Sequence, residues 1–76
     1  MKYVIKLGCR KSGFMKWWYY NGDIYTFQDE CFTEDIFATL DNAKRYPNKK
    51  AAEKAIKTLC EKCSNVDMCV IEEIEE

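Results

Sequence analysis

Five cysteines and no histidine bound the chemistry that this 76-residue chain can perform. Without an imidazole there is no Ser-His-Asp triad, no Cys-His dyad and no His-containing zinc site. The thiols fall at Cys9, Cys31, Cys60, Cys63 and Cys69. Cys60-Glu61-Lys62-Cys63 has the spacing of half a four-thiolate zinc site, but no second CxxC accompanies it. A redox CxxC sits at a helix N-terminus, where the dipole lowers a thiol pKa, whereas this pair falls toward a helix C-terminus. The cysteines therefore read as reduced structural thiols, with no metal and no cofactor. Asp29, Glu30, Glu34 and Asp35 cluster, but nothing near them would raise a carboxyl pKa for acid–base work. Ser12 and Ser64 lack a base, and Gly8, Gly13 and Gly22 do not fit a phosphate-binding loop. The expectation is a protein that is not an enzyme.

Residues suited to binding are more plentiful. Two Trp, five Tyr and four Phe give an aromatic share of 14%, more rings than one small core hides. In a strand over Phe14–Tyr20, Trp17 and Tyr19 point to one face while Trp18 and Tyr20 point to the other. A single helix covers only one of those faces. Trp17 and Tyr19 are therefore expected on an open face beside Lys16, Arg10 and Lys11, the residue types of protein interfaces and of single-strand nucleic-acid platforms. The competing reading closes that face with residues 28–40 or with a second copy of the chain, so a homodimer stays in view. Lys44, Arg45, Lys49 and Lys50 form a second candidate set. Lys49 and Lys50 fall in the first turn of a helix, beside open backbone N–H groups that attract anions.

The elements that position these residues follow from periodicity. Lys2–Leu7 is a strand run with Tyr3, Ile5 and Leu7 on one face, and Gly8–Gly13 reads as a polar loop. Asn21-Gly22, between two aromatic runs, predicts a type I′ hairpin joining Phe14–Tyr20 to Asp23–Phe27. Gln28–Asp35 reads as a loop, Ile36–Thr39 as a short strand or a tucked apolar segment, and Leu40–Tyr46 as a helical turn ended by Pro47. Asn48 caps a helix over Lys49–Lys62, whose apolar stripe is Ala52, Ala55, Ile56, Leu59, Cys60 and Cys63. Asn65 is a candidate left-handed stop, Val66–Ile71 a last strand, and the acidic end from Glu72 to Glu76 is expected to fray. The prediction is one α+β domain over 1–76. It has two layers: a three- to four-stranded, mainly antiparallel sheet with one main helix on one face.

An apolar share of 47% with 33% charged residues suits a folded domain and argues against disorder. The net charge of −1 is unevenly spread. Residues 1–28 and 43–62 are basic blocks, while 29–42 and 63–76 are acidic, a dipolar pattern that steers a partner more than it attracts bulk nucleic acid. The apolar start is broken by Lys6, too short for a secretory core, and no run approaches a membrane span. A reducing cytoplasm is the expected setting, with no membrane partner.

The segment Ala43-Lys44-Arg45-Tyr46-Pro47-Asn48-Lys49-Lys50-Ala51-Ala52-Glu53-Lys54-Ala55-Ile56 resembles an "A-K-R-F-x-S-K-x-x-A-E-x-A" stretch found in small uncharacterised bacteriophage and prophage open reading frames. There, too, it follows an aromatic hairpin and precedes a final strand with an acidic end. The resemblance covers most of the chain but carries over no site residue. It implies a cytoplasmic accessory protein that binds and inhibits or modulates a host protein, including defence nucleases such as CRISPR effectors. The alternative is a small domain that binds DNA or single strands through the aromatic-basic face. It resembles the arm-type domains of phage integrases, although those are clearly basic and this chain has a pI near 5.5.

Overall fold

The computed structural model describes residues 1–11, 13–34, 38–64 and 66–75. Its elements are β1 (Lys2–Lys11), β2 (Phe14–Tyr19), β3 (Ile24–Phe27), β4 (Glu30–Thr33), a 3₁₀ turn (Leu40–Asn42), α1 (Lys49–Lys62) and β5 (Met68–Ile74). They form an α+β fold of two antiparallel sheets, one ordered β2-β1-β5 and the other β3-β4, with one main helix packed on them.

The core lies between α1 and one face of the larger sheet. Strand alternation sends Ile5, Leu7 and Cys9 of β1 to that side, where β2 adds Trp18 and the chain beyond it adds Tyr20. Ala52 and Leu59 of α1 meet them, with Ala51, Ala55 and Ile56 packed at the margin. Small alanine side chains let the helix approach closely, and each fully buried large aliphatic such as Ile5 or Leu7 contributes about 1.5–3 kcal/mol. The helix starts where its cap predicts: Asn48 is extended and its Oδ1 accepts from the Ala51 N–H at 2.8 Å. It stops without a left-handed residue. Cys63 turns extended, with φ −99° and ψ 120°, and the Ser64 N–H donates to the Cys31 carbonyl at 2.9 Å, so β4 takes up the departing chain. Asn65 and the Ile36–Phe37 part of the expected short element lie outside the described residues.

Two expectations about turns are corrected. Asn21-Gly22 is a corner between the two sheets, not a hairpin, because β2 and β3 do not pair. Gly22 does take a positive φ of 96°, but the Asn21 Oδ1 accepts from the Asp23 N–H at 3.0 Å and its Nδ2 donates to Glu34 at 2.7 Å. One edge of β2 is filled by β1, and on the other the Tyr19 N–H donates to the Ala38 carbonyl at 2.9 Å. The stretch expected as a loop from Gln28 instead holds β4, and Gln28 and Asp29 form the two-residue turn of the β3–β4 hairpin, with φ of 51° and 64°.

Strand lengths also exceed expectation. β1 runs through the supposed Gly8–Gly13 loop as far as Lys11, opposite Phe14. β5 continues through Glu72 and Glu73 to Ile74, which pairs with Lys2, so the segment expected to fray is strand up to that point. Glu72 has a structural reason to stay: it accepts from the Tyr19 hydroxyl and faces Lys6.

Candidate functional site

The face of the three-stranded sheet turned away from α1 carries the other half of each strand's alternation. Register sets Met15 across from Arg10, Trp17 and Met68 on either side of Gly8, and Tyr19 and Val70 on either side of Lys6. Val4 pairs with Glu72 and Lys2 with Ile74. The central rows are open, with Trp17 at 41%, Met68 at 49% and Val70 at 40% exposure. The Val4 end is closed. Tyr3 and Tyr46 exchange both backbone hydrogen bonds, at 2.8 and 3.0 Å, and the Lys44 N–H donates to the Tyr20 carbonyl at 2.9 Å. This lays residues 43–46 along the sheet edge, where Ala43 is buried.

Gly8 shapes the middle of the face. A Cβ at this position would lie 2.6 Å from Cζ3 and 2.8 Å from Cε3 of Trp17, so the indole rests directly on the bare backbone. The Met15 methyl closes in beside it, 3.0 Å from the same point. Lys6 Nζ stands 5.2 Å from the centre of the Trp17 ring and 3.8 Å from Glu72 Oε2, and the Tyr19 hydroxyl donates to Glu72 Oε1 at 3.1 Å. Desolvation first, then the hydrogen bond and charge of Glu72, raise the Tyr19 phenol above its ordinary value. The ion pair is about one-third exposed on each side and stabilises by no more than about 1 kcal/mol. Its effect is to hold a cation and an indole in one arrangement.

The expected binding residues divide accordingly. Trp17, Tyr19 and Arg10 share the open face. Lys16 does not: it pairs with Cys9 and so belongs to the side of the sheet that faces α1, because the period of two separates it from Trp17. Lys11 ends β1 opposite Phe14. Lys44 Nζ stands 5.5 Å from the centre of the Tyr46 ring. Arg45 folds inward, its Nη1 donating to the carbonyls of Leu40 at 2.8 Å and Ala43 at 2.6 Å. Lys49 and Lys50 are exposed on α1, across the sheet from Trp17. Met15, Met68, Val70, Lys6 and Glu72 were not expected at the site. The signal for Met68 and Val70 was available in the alternation Met68-Cys69-Val70-Ile71.

A second grouping involves sulfur. Cys63 is buried and bridged by backbone to Cys31, while Cys60 is exposed with its Sγ 3.3 Å from that of half-buried Cys69. Cys60 therefore departs from the buried stripe expected of it. Among the described residues, no three or more Cys, Asp or Glu side chains are arranged to hold a metal ion, and no concave pocket is present. No helix among them is long and apolar enough to cross a membrane. Compared with known protein families, curated proteins and solved structures, the chain matches none.

Proposed function

We propose that the chain is a non-enzymatic binding protein whose contact surface is the helix-free face of the sheet, and that its occupant is the folded surface of a host protein. The carrying observation is the exposed apolar patch of Trp17, Met68 and Val70, flanked by half-buried Met15 and bordered by Arg10 at one end and Glu72 at the other. A flat apolar centre with a rim of both charges suits a protein surface of complementary pattern. The resemblance to phage open reading frames supplies the partner class: a protein of the bacterial cytoplasm that is inhibited or modulated, with a defence nuclease such as a CRISPR effector as the first candidate. A nucleic-acid role has less to work with on this face, because Lys6 is already engaged by Glu72 and Lys16 lies on the other side.

The test uses the tagged chain, its Trp17→Ala and Val70→Glu variants, and Lys57→Glu on α1 as a control. Each is offered to lysates of bacteria that carry defence nucleases. A specific partner should be captured by the wild type and the control but lost by both face variants. In titration against the purified partner, Trp17→Ala should weaken binding about 30-fold, the effect of losing a buried aromatic anchor. Equal capture by all four proteins would sink the proposal. So would a salt-sensitive oligonucleotide shift that requires Trp17, or self-association in sedimentation that Val70→Glu abolishes.

A further inference from the structure

We propose that Cys60 and Cys69 form an oxidisable dithiol that a small-molecule disulfide converts to an intramolecular disulfide, locking the end of α1 to β5. The two sulfurs are 3.3 Å apart, and a disulfide needs about 2.05 Å, so closure takes a displacement of little more than an ångström. Access is asymmetric. Cys60 is exposed on the last turn of the helix and open to a soluble reagent, whereas Cys69 is half-buried against the core. Burial first, then the hydrogen bond and charge of Cys60 and the charge of Cys63, push the Cys69 thiol well above its ordinary value. Cys69 therefore keeps its proton at neutral pH, and the two thiols share a hydrogen bond in which either can be the donor. That arrangement fixes an order of events, with Cys60 as the attacking group and Cys69 as the resolving one.

The reaction runs in two exchanges. The Cys60 thiol loses its proton and its sulfur attacks one sulfur of the disulfide RSSR. A Cys60–S–S–R bond forms, and RS⁻ leaves and takes up a proton as RSH. The Cys69 thiol then loses its proton and its sulfur attacks that of Cys60, forming the Cys60–Cys69 bond and expelling the second RS⁻, which is also protonated. Two protein thiols are oxidised by two electrons, and RSSR is reduced to two RSH. Cys63 is a poorer partner for Cys60, since it is buried and its backbone is tied to Cys31. The inference is independent of the partner proposal. Cys69 projects to the helix side of β5, opposite to Met68 and Val70, so the new bond leaves the exposed face in place.

The reduced full chain should be incubated with oxidised and reduced glutathione at several ratios, quenched with acid, and digested without reduction by trypsin and an Asp-specific protease. These cuts place Cys60, Cys63 and Cys69 on separate peptides, 58–62, 63–66 and 67–76. The expected product is 58–62 linked to 67–76 in a chain lighter by two hydrogens, with a melting temperature about 10 °C higher because the ten-residue loop is closed. Cys60→Ser, an exposed change that leaves the fold intact, should abolish the linked peptide and the added stability; Cys31→Ser should abolish neither. Linkage of Cys60 to the 63–66 peptide would overturn the proposal, as would Cys60 stopping at the mixed disulfide, or a melting temperature unchanged by closure.

Discussion

The contact between the Trp18 indole and Thr33 is where the two sheets are joined by side chains, and it gives the sharpest test of the packing. Trp18 Nε1 donates to Thr33 Oγ1 at 3.1 Å, with Trp18 4% exposed and Thr33 fully buried. Thr33→Val preserves shape while removing the acceptor, so no cavity opens but an indole N–H is stranded away from water. An orphaned buried donor costs about 1–3 kcal/mol. Thr33→Ser keeps the acceptor and deletes one methyl, which costs about 1 kcal/mol. For a domain of this size each kcal/mol moves the melting temperature by about 4–8 °C. At the middle of that range, about 2 kcal/mol, valine should lower it by about 8–16 °C and serine, at about 1 kcal/mol, by about half as much. Urea titration followed by tryptophan fluorescence should give the same ranking with an unchanged m-value.

A double-mutant cycle separates the bond from the packing. Trp18→Phe removes the donor, so in that background Thr33→Val should cost about 1 kcal/mol less than in the wild type. If serine proves worse than valine, or if the valine penalty is the same in both backgrounds, the stabilisation comes from packing and the hydrogen bond has been overvalued.

Three further outcomes are expected. Gln28 and Asp29 both hold positive φ where Asn-Gly is the favoured pair, so Asn-Gly at 28–29 should raise the stability measured in urea by about 0.5–1 kcal/mol; a lower urea midpoint would refute the turn assignment. Gly8→Ala places a methyl inside contact distance of the Trp17 ring, whose exposed far end can swing away. In a Trp18→Phe background the emission should shift to the red while stability falls by less than about 1 kcal/mol; an unchanged spectrum would mean the indole does not rest on Gly8. Burial first, then Tyr20, push the Tyr46 phenol from 10.0 up to about 12. The folded chain then keeps a proton that the unfolded chain releases, so this contribution is complete below pH 10 and is lost as pH rises through 12. Urea midpoints taken at pH 9, 10 and 11 should fall less steeply in Tyr46→Phe than in the wild type, and parallel slopes would contradict the assignment.

The helix was legible residue by residue because its determinants are local. Asn48 supplies the cap and the stripe of Ala52, Ala55, Ile56 and Leu59 supplies the period, all within one segment. The division of Trp17 and Tyr19 from Trp18 and Tyr20 was legible for the same reason, since alternation is a property of one strand. Lys16 was misplaced by treating sequence adjacency as spatial adjacency, which a strand reverses. The Asn21-Gly22 reading failed at a different level. A dipeptide that tolerates positive φ says that the chain can turn, but not which strand returns beside it. Beside the end of β2 the Tyr19 N–H meets Ala38, distant in sequence, while the actual hairpin turns at Gln28-Asp29, of which only Asp29 is a residue that tolerates positive φ.

The open aromatic face follows from the economy of a chain this short. Among the described residues, α1 covers one face of the β2-β1-β5 sheet and leaves the central rows of the other open, and the β3–β4 hairpin packs at β4 against α1 and Trp18. The exposed rings and methionines are therefore a consequence of topology, and the residues among them indicate how the chain tolerates it. Gly8 lets Trp17 lie flat, Lys6 and Glu72 set opposite charges between the apolar rows, and Tyr19 ties its hydroxyl to Glu72. The Lys6–Glu72 pair borders the apolar centre, and hiding it under another layer would cost more than it returns. Replacing Lys6 and Glu72 together with apolar residues should therefore leave the fold intact while promoting self-association in sedimentation; a double variant that stays monomeric would mean that these charges do not keep the face apart.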